Sequence, residues 1–204
     1  MEKKEIKILS RKSDLAQIQA QLVGLEISKK FPDLKISYLT KTTEGDIDKF
    51  SPLSEMKNTG VFTDDLRQNL IEEKCDAIVH SWKDMPIDIG QDTMIAGSLR
   101  RADERDILLV NKKKIKDIKK LKKITILSSS PRRVYNLNDF IHDYFPYQCN
   151  EIVFNNIRGN IPTRIKKLLN GDGDALIVAK AAIDRLLNNP FEDFKDLSNE
   201  IKSY

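Results

Sequence analysis

The chain has 204 residues, 40% of them hydrophobic and 32% charged, which suits one large or two small folded domains and excludes a disordered chain. Its 35 basic and 31 acidic residues leave a net charge of +4, too slight for a general polyanion binder. No apolar run approaches the roughly 18 residues of a membrane span, and the opening MEKKEIKILS lacks the apolar stretch of a signal peptide, so a soluble cytoplasmic protein without membrane contact is expected.

Hydrophobic period switches repeatedly between two and 3.6 along the chain. EIKIL (5–9) alternates as a strand, and Leu15, Ile18, Leu22 and Leu25 mark one face of a helix that Pro32 ends. LKISYLT (34–40) is a second strand. Residues 41–60 have no period and hold Gly, Pro, Ser and Asn, the composition of a long mobile loop. Thr63 then caps a helix with Asp64 and Asp65 in its first turn and Leu66, Leu70 and Ile71 on its buried face. DAIV (76–79) and TMIAG (93–97) read as strands.

The second half continues in the same style. DILLV (106–110) is a strand, followed by a lysine-rich amphipathic segment with Ile115, Ile118 and Leu121 on its apolar side. ITILS (124–128) leads to a helix from Pro131 to about Phe145. EIVF (151–154) precedes a helix capped by Asn160 and stopped by Gly171. ALIVA (175–179) and a helix over Ala181–Leu187 complete the pattern. Strands alternating with helices predict parallel sheets covered on both faces. The division falls near residues 98–105, giving an α/β domain over 1–98, a second over 99–190, a tail over 191–204, and a cleft between two lobes.

Cys75 and Cys149 form no CxxC pair and have no neighbouring histidine, so no metal site is expected. The lysine run 111–123 lacks interleaved aromatic residues and reads as a solvated helix face, not a nucleic-acid site.

In parallel α/β sheets, ligands gather at the carboxyl ends of strands beside helix N-termini. Four such positions carry unusual chemistry: SRKSD (10–14), HSWKDMP (80–86), SSSPRR (128–133) and NNIRGNIPTR (155–164). In SSSPRR, Ser130 stands at the N-cap and Pro131 at the first helical position, with Arg132 and Arg133 next. Two cations at a helix start oppose the macrodipole, and a bound anion would offset that; the alternative is arginines that merely reach water. Arg158 and Arg164 frame a second helix start. Paired guanidiniums match a ligand with several carboxylates or phosphates. Lys83 and Asp84 would project from a strand end, or else form a solvated loop pair. His80 reads as a packed histidine rather than a base, and Trp82 as a shield or as packing.

SRKSDLAQIQA, TTEGD, GVF, VHSWKDMP, SSSPRR, RGNIPTR and AAIDRL together resemble the porphobilinogen deaminase (hydroxymethylbilane synthase) family, in its order and spacing from about residue 5 to 188. The resemblance implies two lobes like a type II periplasmic-binding protein. It also implies a transferase of tetrapyrrole and heme biosynthesis, which deaminates porphobilinogen and joins four units into hydroxymethylbilane on a covalently bound dipyrromethane cofactor. By matching motif, Ser13, Lys83, Asp84, Ser128, Ser129, Ser130, Arg132 and Arg133 would bind the cofactor. Arg11, Phe62, Arg158, Gly159, Asn160, Arg164 and Arg185 would bind substrate and growing chain. Asp84 would be the catalytic carboxylate, with Arg11 and Arg158 assisting the departure of ammonia.

Two departures stand out. Glu55 and Thr59 occupy lid positions where the family carries lysine, with Lys57 nearby. The family's third domain, with its cofactor cysteine, is expected to be absent, and neither Cys75 nor Cys149 has the neighbours of that cysteine. Three expectations follow: a shortened deaminase, a split enzyme whose partner chain supplies the third domain, or a non-catalytic binding module for porphobilinogen and linear pyrroles. A generic carboxylate receptor is disfavoured, since it gains nothing from Asp84. Lower stability or self-association through an open sheet edge is a further expectation.

Overall fold

The computed structural model describes residues 4–43, 63–111, 116, 122–144 and 150–203. The expected mobile loop from residue 44 on, with Glu55, Lys57, Thr59 and Phe62, lies outside them, as do Ile115, Ile118, Leu121 and Cys149. The chain is α/β, as expected, and divides into two compact units. Unit 1 comprises Met1–Arg101 and Arg185–Tyr204; unit 2 comprises Ala102–Asp184.

Unit 1 is built on a parallel three-stranded sheet in the order β2-β1-β3, from β1 (Glu5–Arg11), β2 (Lys35–Lys41) and β3 (Ala77–Ile78). Ile8 lies opposite Tyr38 on one side and Ala77 on the other. Helix α1 (Asp14–Lys30) crosses from β1 to β2, with Asp14 in its first turn and Lys29 and Lys30 in its last, each matching the helix dipole. Its buried residues are Ile18, Ala20 and Gly24. Leu25, expected on the buried face, is 39% exposed. The reason is Gly24: a Cβ there would lie 2.0 Å from the Tyr38 hydroxyl, so the glycine seats the Tyr38 ring against the helix and sets its rotation.

Helix α2 (Asp64–Ile71) follows Thr63 at the N-cap and buries Leu66 against Leu9 and Cys75, with Leu70 and Ile78 alongside. Ile71, expected inside, is exposed, because it closes the helix away from that cluster. The strand expected over DAIV narrows to Ala77–Ile78, although Val79 N–H still donates to Leu9 O at 3.0 Å. TMIAG (93–97) forms no strand, and Met94, Ile95, Ala96 and Gly97 are exposed. An apolar run becomes a strand only where another strand's backbone satisfies it, and these residues have no ladder partner among those described. Residues 191–204, read from sequence as a tail, contain a 3-10 turn (Glu192–Phe194) and helix α7 (Lys195–Lys202). The Gln21 amide of α1 donates to Asp193 at 3.3 Å, tying that segment into unit 1.

Unit 2 holds a four-stranded sheet ordered β4-β7-β5-β6, from β4 (Asp106–Val110), β5 (Lys123–Leu127), β6 (Glu151–Asn155) and β7 (Ala175–Ala179). Its β5, β6 and β7 are parallel, but β4 runs antiparallel to β7, pairing Asp106 with Ala179 and Val110 with Ala175. This corrects the all-parallel expectation: β4 is an edge strand, where direction is least constrained, and alternation of element types carries no information about direction. Ile124, Ile126, Ile152, Ala175 and Ile177 form the core, with Ile141 packed on them. The single helix expected from Pro131 is two, α3 (Pro131–Leu137) and α4 (Phe140–Tyr144), parted by a turn at Asn138 and Asp139. Helix α5 (Ile161–Asn170) begins and ends as read: Asn160 caps it, and Gly171 leaves it with φ +96°. Helix α6 (Lys180–Asn188) follows β7 directly.

Candidate functional site

Each unit carries one group of polar residues at the carboxyl ends of its parallel strands, where helix starts and loops leave side chains free to meet a ligand.

In unit 1, Arg11 is the last residue of β1, and Ser13 is the N-cap of α1, its carbonyl accepting from Ala16 and Gln17 N–H. After β3 the chain runs through His80 and Ser81 into a 3-10 turn of Trp82, Lys83 and Asp84. That turn brings Asp84 back to β1, with an Oδ2 to Arg11 Nη1 distance of 3.9 Å and the two side chains only 24% and 20% exposed. At that separation the groups attract by charge without a good hydrogen bond. Ser81 Oγ donates to Gln19 Oε1 at 3.0 Å, fastening the turn to α1. Lys83 is exposed, and Trp82 is 71% exposed and shields nothing in unit 1. Burial holds the His80 imidazole below its ordinary pKa; Asp84 pulls it upward and Arg11 downward.

In unit 2, Ser128 is buried, and its Oγ accepts from Ser130 N–H at 3.3 Å. Ser130 caps α3 as read from sequence, accepting from Arg133 N–H at 3.4 Å, with Pro131 at the first helical position. Arg132 is exposed. Arg133 is not loose in water: it grips Asp106, at the start of β4, with both arms of its guanidinium. On the next loop Gly159 has φ +116°, and its carbonyl accepts from Arg164 Nε at 2.8 Å. The Arg158 carbonyl accepts from Lys167 Nζ at 3.2 Å. Asn160 Oδ1 accepts from both Thr163 N–H at 2.9 Å and Thr163 Oγ at 2.6 Å.

Arg164 shows what this arrangement does electrically. Burial, then the guanidiniums of Arg133 and Arg158, push it below its ordinary pKa. Three cations from two strand ends are thus gathered within electrostatic reach of each other. Such a cluster stores repulsion that a ligand with more than one carboxylate would relieve. Arg185, on α6, is half-buried, and burial lowers its pKa too. Phe62 lies outside the described residues.

Three partners escaped the sequence reading: Gln19, Ser81 and Asp106. Each acts across at least 27 residues of chain, as in the Ser81–Gln19 and Arg133–Asp106 pairs, so no local pattern announces it.

The family model described as porphobilinogen deaminase, dipyromethane cofactor binding domain, matches residues 6–201. The chain belongs to the porphobilinogen deaminase family. A "Probable porphobilinogen deaminase" of Picrophilus torridus is 37% identical over 96% of this chain and 67% of its own. The porphobilinogen deaminase of Chlorobium phaeobacteroides is also 37% identical, over 90% of this chain and 56% of its own. The chain therefore spans roughly 56 to 67% of the length of these relatives. Among solved structures, an extracellular-binding protein of a probable amino-acid ABC transporter from Bacillus subtilis overlaps 94% of this chain and 76% of its own, at TM-score 0.42 and 14% identity.

The family's cofactor domain is thus present in sequence, and the clustered guanidiniums of unit 2 suit the carboxylates of a dipyrromethane chemically. Among the described residues no cysteine suited to anchor it is found. Cys75 is buried in the unit 1 core, where burial and Asp76 raise its thiol pKa, a poor setting for a nucleophile.

Proposed function

We propose that this chain acts in hydroxymethylbilane synthesis, holding dipyrromethane and porphobilinogen by their acetate and propionate arms. The observation that carries this reading is the gathering of Arg133, Arg158 and Arg164, whose mutual repulsion a ligand with several carboxylates would relieve. Ser128, Ser129, Ser130, Arg132 and Arg133 hold cofactor carboxylates, and Lys83 and Ser13 are cofactor-binding residues as well. Arg11, Arg158, Gly159, Asn160, Arg164 and Arg185 hold the substrate and the lengthening chain, and Phe62 contacts substrate. When bound, the dipyrromethane supplies the free pyrrole position to which new units are joined.

Asp84 is the catalytic carboxylate. Its oxygens accept from pyrrole N–H, and its charge faces the cation that forms when porphobilinogen loses ammonia. At ~4 Å and an effective dielectric near 20, that attraction is worth about 4 kcal/mol. Because the cation develops only along the reaction, the preset charge acts mainly on the transition state. Arg11, 3.9 Å from Asp84, attracts that carboxylate by charge before substrate arrives.

The test follows porphobilinogen loss with Ehrlich's reagent together with ammonia release, in the wild-type protein and in Asp84→Asn. Wild type should consume porphobilinogen and the variant should lose most of that rate; equal rates would remove Asp84 from its role. The second reading, a binding module completed by a partner chain or not catalytic at all, is favoured by Cys75, whose buried thiol is poorly set to anchor a cofactor. Saturable porphobilinogen binding without ammonia release would select it.

A further inference from the structure

His80 has a place in the unit 1 group that its reading as a packed histidine does not explain. Its Nε2 is sealed from solvent and has no hydrogen-bond partner. Buried imidazole nitrogens are ordinarily satisfied, so an orphan one calls for a partner present in some other state of the protein.

The sheet register says where that partner is. β1 and β3 pair Ile8 with Ala77 and Leu9 with Ile78, and the Val79 N–H to Leu9 O bond carries the ladder on. Two residues further, the register sets His80 beside Arg11, on the face that Leu9 and Ile78 already share. The 3-10 turn then folds Asp84 over the same place. Both charged groups act on the ring, Asp84 from the turn and Arg11 from β1; the α1 contact at Ser81 is the uncharged Gln19.

Building on the reading of Asp84 as the ligand-facing carboxylate, we propose that His80 is its positioning residue: a neutral imidazole whose Nε2–H receives the Asp84 carboxylate when Arg11 turns to a ligand's carboxylate. Asp84 then has two seats. In the first, seen here, it is 3.9 Å from Arg11, too far for a firm hydrogen bond. In the second, it accepts from His80 Nε2–H and keeps its aim after Arg11 has been recruited. Neutrality matters to this role, since a protonated ring would repel Arg11 and cancel the charge that Asp84 brings.

The chain has two histidines, His80 and His142, so imidazole nitrogen NMR on the full chain reads His80 directly, with His142→Gln to assign it. In Asp84→Asn the His80 pKa should fall below wild type, and in Arg11→Gln it should rise. Arg11→Gln, which mimics the recruited arginine, should also move the Nε2 proton downfield and slow its exchange, and the Arg11→Gln/Asp84→Asn double variant should undo both changes. A His80 titration that is the same in wild type, Asp84→Asn and Arg11→Gln would overturn the proposal, as would an unprotonated Nε2 in Arg11→Gln. Should Arg11→Gln not fold, Asp84→Asn alone decides: a His80 pKa no lower than wild type sinks the idea. Porphobilinogen is then added to the wild type. If it fails to bind while the variants behave as stated, the functional reading fails and the positioning role stands.

Discussion

Arg133 holds Asp106 through two hydrogen bonds, Nε to Oδ2 at 3.0 Å and Nη2 to Oδ1 at 2.7 Å, joining the first turn of α3 to the start of β4. The pair sits at the margin of the arginine cluster, with side chains 17% and 27% exposed. Hydrogen bonds of this charged kind contribute about 1.5–3 kcal/mol. Asp106→Asn should therefore destabilise the protein by about 1–3 kcal/mol in urea unfolding. It should also release the Arg133 charge beside Arg164, so porphobilinogen affinity should rise while stability falls. Both changing in the same direction would mean that Asp106 does not temper the cluster.

The turn bearing Arg158 and Arg164 depends on Asn160. Its side chain satisfies the Thr163 N–H at 2.9 Å, and replacing such a cap by alanine costs about 1 kcal/mol. Asn160→Ala should lower stability by that amount and weaken porphobilinogen binding as well, because the loop it orders presents both arginines. Thermal unfolding beside calorimetry separates the two effects. A stability loss with unchanged binding would show that the arginines are placed without the cap.

Gly173 approaches the core of unit 2 closely: a Cβ there would lie 2.6 Å from Leu127 Cγ. Leu127 is itself buried and cannot swing into solvent. Gly173→Ala should cost about 1–3 kcal/mol by overpacking, and Leu127→Ala in the same chain should restore part of it. Denaturant unfolding of the single and double variants measures the coupling.

Acid should destabilise the protein through His80. Its folded pKa lies below the ordinary histidine value of 6.5, so the unfolded chain takes up the proton first. The contribution is complete above pH 6.5, declines as pH falls from there, and is gone once pH has passed below the folded pKa. His80→Gln should flatten the dependence of Tm on pH over that window. An equally steep profile in the variant would place the acid sensitivity elsewhere.

Much of the fold was legible because its signals are local. Asn160 and Gly171 bound α5 as read, since a cap and a left-handed stop act within a few residues. The apolar run ALIVA became the central strand β7, flanked by β4 and β5. What the sequence could not show depends on partners far along the chain. The direction of β4 is set by β7, which begins 69 residues after it does. TMIAG has strand composition, yet composition says only what could pair, not that a neighbour is there. The rotation of α1 turned on Gly24 meeting Tyr38 across to β2, which no helical period reveals.

The same division holds for the site. SSSPRR and RGNIPTR could be recognised as helix starts from residue types alone, and Ser130 and Asn160 cap as read. That Arg133 is claimed by Asp106, or that Gln19 fastens Ser81, needed the folded chain.

Calorimetric titration of porphobilinogen into the whole protein, wild type against Arg158→Gln/Arg164→Gln, tests whether the arginine cluster holds the ligand. Saturable binding should weaken at least tenfold in the double variant, a loss of about 1.4 kcal/mol or more. Binding equal in the two proteins, or none in the wild type, would contradict it.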